Sequence, residues 1–356
     1  MPMGAVMSES LNVQQRAIQG VIRGLGMLPE PAQRLIAGKP VVIDGQRLLT
    51  EVQMALRLLN AMPGSSFEDL PLRQAREQVD AEAMIFGAPE QVDIIEDVRI
   101  PTREGSVAGR VYRGSAAAEV EGAVAYYHGG GWVVGSLVSV DSVCRFLAAH
   151  TNLVIVSVDY RLAPEQPFPA AVHDAVDAYR WLRSHPQWGT TVAVAGDSAG
   201  GNLSAVVCAE TLDDENGPPD FQLLFFPVTD VSTKHASYRL FSDGYFLTEK
   251  QMDWYIGHYL PNPSDRTDPR ASPLLGDPTG HPPAHVAVSG FDVLRDEGIA
   301  YAKKLRAAGV PTSLQVVEGH IHAFVNATGV GKWSKRALAE AVAALSAGMQ
   351  QARERG

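Results

Sequence analysis

The spacing of apolar residues changes character at about residue 87. Before that point the apolar positions recur at helical spacing, and they predict three helices, over 13–28, 45–61 and 72–86. Glycines and prolines around 29–40 and 62–64 are expected to separate these helices. Because this part of the chain shows no strand alternation, segment 1–87 is predicted to lie outside any sheet. It is expected to form a helical cap segment or a structural cover.

From about residue 92 the pattern becomes that of strands. The runs 92–100 and 107–113 predict an antiparallel pair at the edge of a sheet. Six apolar runs of the kind buried in parallel sheets follow, over 123–128, 153–160, 191–196, 222–228, 284–290 and 313–319. Helical stretches separate most of them, over 139–150, 169–184, 199–211, 295–309 and 332–353. This alternation predicts an α/β fold, with a mostly parallel eight-stranded sheet and helices on both faces.

One insertion interrupts the alternation of strands and helices. About 55 residues separate the strand that ends near Val228 from the one that begins near Ala284. They include a predicted helix over 248–259 and a stretch rich in proline and aspartate. Since insertions at the carboxyl ends of parallel strands usually shape binding pockets, segment 229–283 is predicted to be a second cap segment. The main domain is then 88–356.

Composition and charge exclude several kinds of partner. A formal net charge of −10 argues against a nucleic-acid partner and gives no support for docking on anionic membranes. No apolar run approaches the roughly 18 residues of a membrane span. The first ten residues, MPMGAVMSES, lack a basic region followed by an apolar run. No signal peptide is therefore expected, and a cytoplasmic location is the default. Cys144 and Cys208 fall in predicted helices and are expected to be buried.

The strongest chemical signal is a serine between a predicted strand and a predicted helix. Ser198 stands at the centre of Gly196-Asp197-Ser198-Ala199-Gly200, which matches the G-x-S-x-G nucleophile elbow. Such a motif occurs by chance in roughly one chain in five of this composition. The evidence for a nucleophile elbow is therefore the predicted strand before the motif and the predicted helix after it. A serine in this turn takes a strained backbone conformation, and only glycine-sized neighbours fit two residues either side.

A glycine-rich loop follows the strand at 123–128. Its sequence is His128-Gly129-Gly130-Gly131-Trp132. An oxyanion formed by attack on an acyl group needs fixed N–H donors, and a glycine run presents backbone amides without side chains in the way. The amides of Gly130 and Gly131, with that of Ala199, are the predicted oxyanion hole. Trp132 is predicted to line the pocket because it is attached to this loop.

A dinucleotide site is the main alternative for the same loop. Gly129-x-Gly131 follows a strand, and Asp159 ends the next one, which partly matches a dinucleotide-binding fingerprint. The third glycine, Gly135, comes one residue late, and Trp132 would crowd a pyrophosphate. The sequence therefore predicts no nucleotide cofactor.

A carboxylate and a histidine follow the last two predicted strands. Asp292 is the preferred acid, with Asp296 as the alternative, since Asp296 falls in a helix start where acids commonly interact with the helix dipole. His322 and His320 are both candidates for the base, and the local pattern leaves the choice open. Two histidines at this spacing could also bind a metal ion, but no further ligand accompanies them at suitable spacing. The order serine, aspartate, histidine is that of α/β-hydrolases.

These motifs together resemble the hormone-sensitive-lipase family of α/β-hydrolases, in its bacterial esterase branch. The resemblance covers about 95–350 and rests on six blocks, HGGGW, DYRLAPEQPFPAA (159–171), GDSAGGNL (196–203), ASPL (271–274), DVLRDEG (292–298) and IHAF (321–324). It implies Ser198 as nucleophile, Asp292 as acid and His322 as base, because the family histidine stands two residues before a phenylalanine. It also implies that 159–171 is a structural belt. The family's usual D-P-L and H-G-F are Asp-Val-Leu and His-Ala-Phe here, which spares the catalytic side chains.

The activity that the resemblance implies is that of a serine carboxylesterase. Such an enzyme hydrolyses short- to medium-chain acyl esters through an acyl-enzyme intermediate, with no cofactor and no metal, and its partner is a small ester substrate. The same triad could serve an acyltransferase, an amidase, a lactonase or a lipase, and a catalytically silent ligand-binding member of the fold is a further alternative. Phe246 and Tyr255 of the insertion are candidate pocket residues. Since related enzymes often pair through a sheet edge and the C-terminal helix, the resemblance also raises a homodimer.

Overall fold

The computed structural model describes residues 11–61 and 66–355. The first ten residues and the break predicted at 62–64 lie outside this part of the chain. The described strands are β1 (Val42–Ile43), β2 (Gln46–Arg47), β3 (Ile94–Thr102), β4 (Gly105–Arg113), β5 (Ala123–Tyr127), β6 (Val154–Asp159), β7 (Val192–Asp197), β8 (Phe221–Phe225), β9 (Ala284–Phe291) and β10 (Thr312–Ile321). The described α-helices are α1 (Val13–Gly26), α2 (Glu30–Ala37), α3 (Thr50–Ala61), α4 (Leu72–Phe86), α5 (Asp141–Ala149), α6 (Ala170–Arg183), α7 (Ala199–Glu210), α8 (Ala236–Leu240), α9 (Glu249–Tyr259), α10 (Arg295–Ala307) and α11 (Trp333–Arg355).

The main sheet has eight strands in the order β10-β9-β8-β7-β5-β6-β4-β3. Neighbours from β10 to β6 pair in parallel, whereas β4 pairs antiparallel with both β6 and β3. Every residue of β5, β7, β8 and β9 is buried, because helices cover both faces of the sheet and an apolar residue is then favourable at every position. The predicted mostly parallel eight-stranded sheet is confirmed.

The N-terminal segment differs from its prediction in two places. Residues 45–49, predicted to be helical, are not: β1 and β2 form a hairpin, and the helix begins at Thr50. The hairpin turn is Asp44-Gly45 with φ of 54° and 75°, the Asp-Gly pair that a two-residue turn favours. A helix also forms over Glu30–Ala37, where only breaks were expected. Prolines are tolerated in the first turn of a helix, whose N–H groups have no partner in the helix.

Ion pairs and hydrogen bonds fix the N-terminal segment to the main domain. Arg76 of α4 forms a bidentate ion pair with Glu165, at 2.7 and 2.9 Å, and also donates to the carbonyl of Val133 at 2.9 Å. The amide of Leu49 donates to the carbonyl of Gly319 in β10 at 3.0 Å. The Glu51 carboxylate accepts from the amide of Trp333, the first residue of α11, at 3.0 Å. These contacts hold α3 and α4 beside the carboxyl ends of the strands.

The insertion after β8 supplies α8 and α9. The predicted helix over 248–259 is present as α9, and Thr248 caps it with Gln251 in a capping box. Cys144 in α5 and Cys208 in α7 are buried free thiols, as expected. Within the described residues, none of the helices is both long enough and apolar enough to cross a membrane.

Candidate active site

Ser198 lies in the sharp turn between β7 and α7. Its backbone angles are φ 56° and ψ −116°, a conformation that few non-glycine residues adopt. The neighbouring glycines make this turn sterically feasible. A Cβ atom on Gly200 would overlap the carbonyl of Tyr127, and one on Gly196 would overlap Gly200 itself. The turn therefore places a serine at the carboxyl end of a buried strand and at the start of a helix.

Ser198 opens onto a cavity of about 640 Å³. We call it the Ser198 cavity. Six of the predicted catalytic, oxyanion-hole and pocket residues line it: Ser198, His322, Gly130, Gly131, Phe246 and Tyr255. The alternative base His320 lines it as well. Asp292 is buried behind His322, and Ala199 follows Ser198 as the first residue of α7. The fold thus brings one wall of the cavity together from chain segments up to about 190 residues apart in sequence.

A hydrogen bond joins the histidine and the carboxylate at this cavity. His322 Nδ1 lies 2.7 Å from Asp292 Oδ2, and Asp292 Oδ1 accepts from the amide of Leu294 at 3.0 Å. The imidazole packs on the ring of Phe226, with centroids 4.5 Å apart. Since Nδ1 is engaged with Asp292, Nε2 is the nitrogen that remains to exchange a proton with a substrate or a nucleophile.

The two alternative residues are placed differently. Asp296 lies in the first turn of α10, where its carboxylate accepts from the amide of Ser237 and from Arg295 Nε, each at 2.8 Å. His320 is 3% exposed, and neither ring nitrogen has a partner among the described residues. Burial lowers the pKa of His320 to about 4, so its imidazole is neutral at pH 7. Neither residue belongs to a carboxylate–histidine pair in the described structure.

The glycine-rich loop after β5 faces the same cavity. Gly130 and Gly131 have φ of 109° and 57°, both in the region that favours glycine. A Cβ on Gly130 would overlap the carbonyl of Val134, and one on Gly131 would overlap the ring of Tyr255. Within the described part of the chain, the amides of Gly130, Gly131 and Ala199 donate to no other residue. These three amides therefore have no protein acceptor among the described residues, and Gly130 and Gly131 line the cavity.

Trp132 does not line the pocket, contrary to the prediction from the sequence. Its side chain is fully buried and is not among the residues that line the Ser198 cavity. The indole instead stacks on Tyr259 of α9, with centroids 4.2 Å apart and planes 9° apart. The carbonyl of Trp132 accepts from the amide of Ala163 at 2.8 Å. Trp132 thus anchors the glycine-rich loop against α9, because a large ring gains more by stacking in the core than by lining a wet cavity.

Asp197 is an important residue that sequence reasoning did not single out. Its buried carboxylate accepts from Tyr126 Oη at 2.9 Å, from the Gly129 amide at 3.1 Å and from Asn326 Nδ2 at 3.3 Å. These donors tie the elbow to the glycine-rich loop and to the turn after His322. Burial raises the pKa of Asp197. The sequence did contain one signal for this role. Asp197 lies between a predicted buried strand and Ser198, where burial of a carboxylate without hydrogen-bond partners would cost free energy.

The segment expected to be a structural belt makes scaffold contacts. Tyr160 Oη donates to the carbonyl of His128 at 2.7 Å, and its ring stacks on the His128 imidazole. Arg161 forms an ion pair with the buried Asp174 at 2.8 Å. These contacts hold the start of the glycine-rich loop in place. No residue of segment 159–171 lines the Ser198 cavity.

Comparison with known proteins agrees with this geometry. A family model described as the alpha/beta hydrolase fold matches residues 124–326, more than half of the chain. This chain belongs to the α/β-hydrolase family. Its resemblance to the hormone-sensitive-lipase members is confirmed.

Relatives of this α/β-hydrolase carry names of ester-hydrolysing enzymes. The chain is 40% identical over 352 residues to the carboxylic ester hydrolase LipN of Mycobacterium tuberculosis, covering 93% of each chain. It is 36% identical over 282 residues to ethyl acetate hydrolase of Pseudomonas putida, covering 76% of this chain and 89% of that one. The structure of a hyperthermophilic esterase from Pyrobaculum calidifontis superposes with a TM-score of 0.79 at 37% identity, covering 84% of this chain and 98% of that one.

The contact between Gly131 and Tyr255 gives a test of the glycine-rich loop. Gly131→Ala introduces a Cβ into the Tyr255 ring at a residue with φ of 57°. The loop must shift, and we expect kcat for p-nitrophenyl butyrate to fall by about 10²- to 10³-fold, the usual loss when one oxyanion donor is displaced. Steady-state kinetics with thermal unfolding as a check on folding measures this.

Gly257→Ala is the matched control for Gly131→Ala. Gly257 lies in α9, and a Cβ there meets nothing within 4 Å. This variant is expected to keep its activity and to gain about 1 kcal/mol in free energy of unfolding. A folded Gly131→Ala enzyme with kcat close to wild type would show that the loop does not hold the oxyanion.

Proposed function

We propose that this protein is a serine carboxylesterase that hydrolyses short- to medium-chain acyl esters. The observation that carries the proposal is the 2.7 Å hydrogen bond between the buried Asp292 and His322, which lines the same cavity as Ser198. A hydrogen-bonded base beside an elbow serine is the arrangement that acyl transfer requires.

The proposed mechanism uses Ser198, His322 and Asp292 in turn. His322 takes the proton from the Ser198 hydroxyl through Nε2 while Ser198 Oγ attacks the acyl carbon. Asp292 holds the imidazole in the required tautomer and stabilises the imidazolium. The amides of Gly130, Gly131 and Ala199 stabilise the tetrahedral oxyanion. His322 then protonates the leaving alcohol, and a water molecule, activated in the same way, releases the acid from the acyl-enzyme.

The names of the relatives and the size of the cavity support small esters as substrates. One relative is named for hydrolysis of ethyl acetate, a two-carbon acyl ester. A cavity of about 640 Å³ lies within the range typical of small-molecule sites. Its apolar residues include Val52, Leu56, Val79 and Phe86, which suit an aliphatic acyl chain.

We propose further that the segments 1–87 and 229–283 act together as the cap of this cavity. Support comes from the described residues of α3, α4 and α9 that line it, among them Leu56, Val79 and Tyr255. We include Tyr255 and Phe246 in this proposal as pocket residues, since both line the cavity. Tyr255 is buried, whereas Phe246 is 38% exposed. The cytoplasmic location and the homodimer stay predictions.

A panel of p-nitrophenyl esters from acetate to palmitate tests the proposed substrate class. We expect kcat/KM to be highest among the short and medium chains and to fall by about tenfold or more at palmitate, since the volume of the cavity limits the chain length it accepts. If emulsified palmitate were the best substrate, the enzyme would be a lipase. If an added alcohol diverted most product to a new ester, it would be an acyltransferase.

A further inference from the structure

The cap side of the Ser198 cavity contains a carboxylate on a helix face that is otherwise uncharged. Five residues of α4 line the cavity at helical spacing: Gln78, Val79, Glu82, Ala83 and Phe86. Positions three and four residues apart share one face of a helix. Glu82 therefore lies in the middle of the cavity-facing stripe, where amphipathic helices normally place an apolar residue.

The other three carboxylates in the cavity wall are accounted for by their contacts or position. Glu51 accepts from the amides of Trp333 and Lys332 at the start of α11. Asp197 accepts from Tyr126, Gly129 and Asn326, as described above. Asp243 is an exposed residue at the cavity edge.

Glu82 has no such charge partner. Among the described residues its one hydrogen bond comes from the neutral side chain of Gln78, at 2.8 Å. No lysine or arginine is present in the described lining of the cavity. Burial raises the pKa of Glu82, which is the expected response of a carboxyl group without a cationic neighbour.

Glu82 and Ser198 line the same cavity. Burial raises the pKa of Tyr255, and the negative charge of Glu82 adds to this effect. The ring of Tyr255 in turn contacts Gly131 in the glycine-rich loop. A substrate held between Ser198 and α4 is therefore within the electrostatic influence of Glu82, where charges interact more strongly than in bulk water.

We propose that Glu82 selects substrates by charge. It disfavours esters whose acyl chain carries a free carboxylate, such as half-esters of dicarboxylic acids. It favours esters that carry a cationic or hydrogen-bond-donating group. This inference rests on the proposed esterase function and names the substrate class of the same site. A carboxylate in a cavity wall, where the effective dielectric constant is lower than in bulk water, repels a second anion and pairs with a cation or a donor.

Three p-nitrophenyl esters with the same six-carbon acyl chain test this inference. They are the hexanoate, the mono-ester of adipate and the 6-(trimethylammonio)hexanoate, which differ in the group at the end of the chain. Values of kcat/KM are measured at a fixed pH above neutrality after subtraction of spontaneous hydrolysis. The readout is kcat/KM for each charged ester divided by kcat/KM for hexanoate. Any effect of a substitution on the catalytic step that is common to the three esters cancels in this ratio.

In Glu82→Gln we expect the adipate-to-hexanoate ratio to rise by about tenfold or more and the cationic ratio to fall by a similar factor. Glutamine keeps the size of the side chain and its hydrogen bond to Gln78. Glu82→Met, a second uncharged variant, is expected to move both ratios in the same directions and serves if Glu82→Gln does not fold.

Glu77→Gln is the control on the same helix. It also removes one negative charge from α4, but Glu77 is exposed and paired with Arg73 at 2.8 Å. Its ratios should match those of wild type. The inference is overturned if folded Glu82→Gln or Glu82→Met has wild-type ratios, or if Glu77→Gln shifts them equally. Failure of wild type to hydrolyse hexanoate would instead overturn the proposed function, so the two failures are distinguishable.

Discussion

Replacing Ser198 with alanine is expected to lower kcat for p-nitrophenyl butyrate by roughly 10⁶-fold, the usual cost of removing a triad nucleophile. Alanine lacks the oxygen that attacks the acyl carbon, so only the oxyanion donors and the binding cavity remain. Steady-state assays with purified variant, checked for contamination by wild type, measure this loss. The free energy of unfolding is expected to stay within about 1 kcal/mol of wild type, since the change removes a single atom.

A second serine on the same helix serves as the control. Ser204 lies in α7, is buried, and donates to the carbonyl of Gly200 at 2.9 Å. Ser204 does not line the Ser198 cavity. Ser204→Ala is expected to keep nearly all activity. If folded Ser198→Ala retained substantial turnover, another residue would have to be the nucleophile.

Asp292→Asn is expected to lower kcat by about 10⁴-fold. The wild-type carboxylate accepts from His322 Nδ1, whereas an asparagine amide placed there can donate to it. Donation favours the tautomer with the proton on Nε2, which cannot accept the proton of Ser198. The side chain keeps its size, and the amide oxygen of the introduced asparagine can still accept from the amide of Leu294, so the fold is expected to survive. Steady-state kinetics on the folded variant measures the loss.

Asp296→Asn separates a triad role from a general effect of charge. Asp296 is four residues further along the chain, and its contacts are the Ser237 amide and Arg295. We expect its kcat to stay within about tenfold of wild type, because these contacts stabilise the start of α10 and not the imidazole. Equal losses in the two variants would contradict the assignment of Asp292 as the acid.

The sheet was predictable because its pattern is local. Strands buried on both faces appear as short apolar runs, and each of the six predicted runs corresponds to a strand of the structure. The hairpin at Val42–Arg47 was missed because its strands are two residues long and too short to show alternation. The Asp44-Gly45 pair was the one local signal for it.

The site was only partly predictable from the sequence. Motif spacing pointed to Ser198 and Asp292 but left His320 and His322 open, and only the resemblance selected His322. The hydrogen bond that distinguishes the two histidines joins His322 to a residue 30 positions away. The orientation of Trp132 depends on Tyr259, and Tyr259 is supplied by the insertion. Such pairings are set by tertiary packing, which a local pattern does not contain.

Asp197 and Glu82 were missed for a related reason. The role of Asp197 is visible only when Tyr126, Gly129 and Asn326 are brought around it. Glu82 looks like an ordinary charged residue on a surface helix until α4 is placed over the cavity. In both cases the surroundings of the carboxylate are set by the tertiary fold, and the sequence does not state which face of an element meets the cavity.

Covalent labelling by a p-nitrophenyl alkylphosphonate tests the central claim most directly, because such a reagent reacts with a serine activated by a neighbouring base and oxyanion donors. Intact mass and peptide mapping are followed together with loss of esterase activity. We predict one adduct per chain, on the peptide that contains Ser198, with activity lost in step, and no adduct in Ser198→Ala. An adduct on another residue that tracks the loss of activity, or full activity after Ser198 is labelled, would contradict the account.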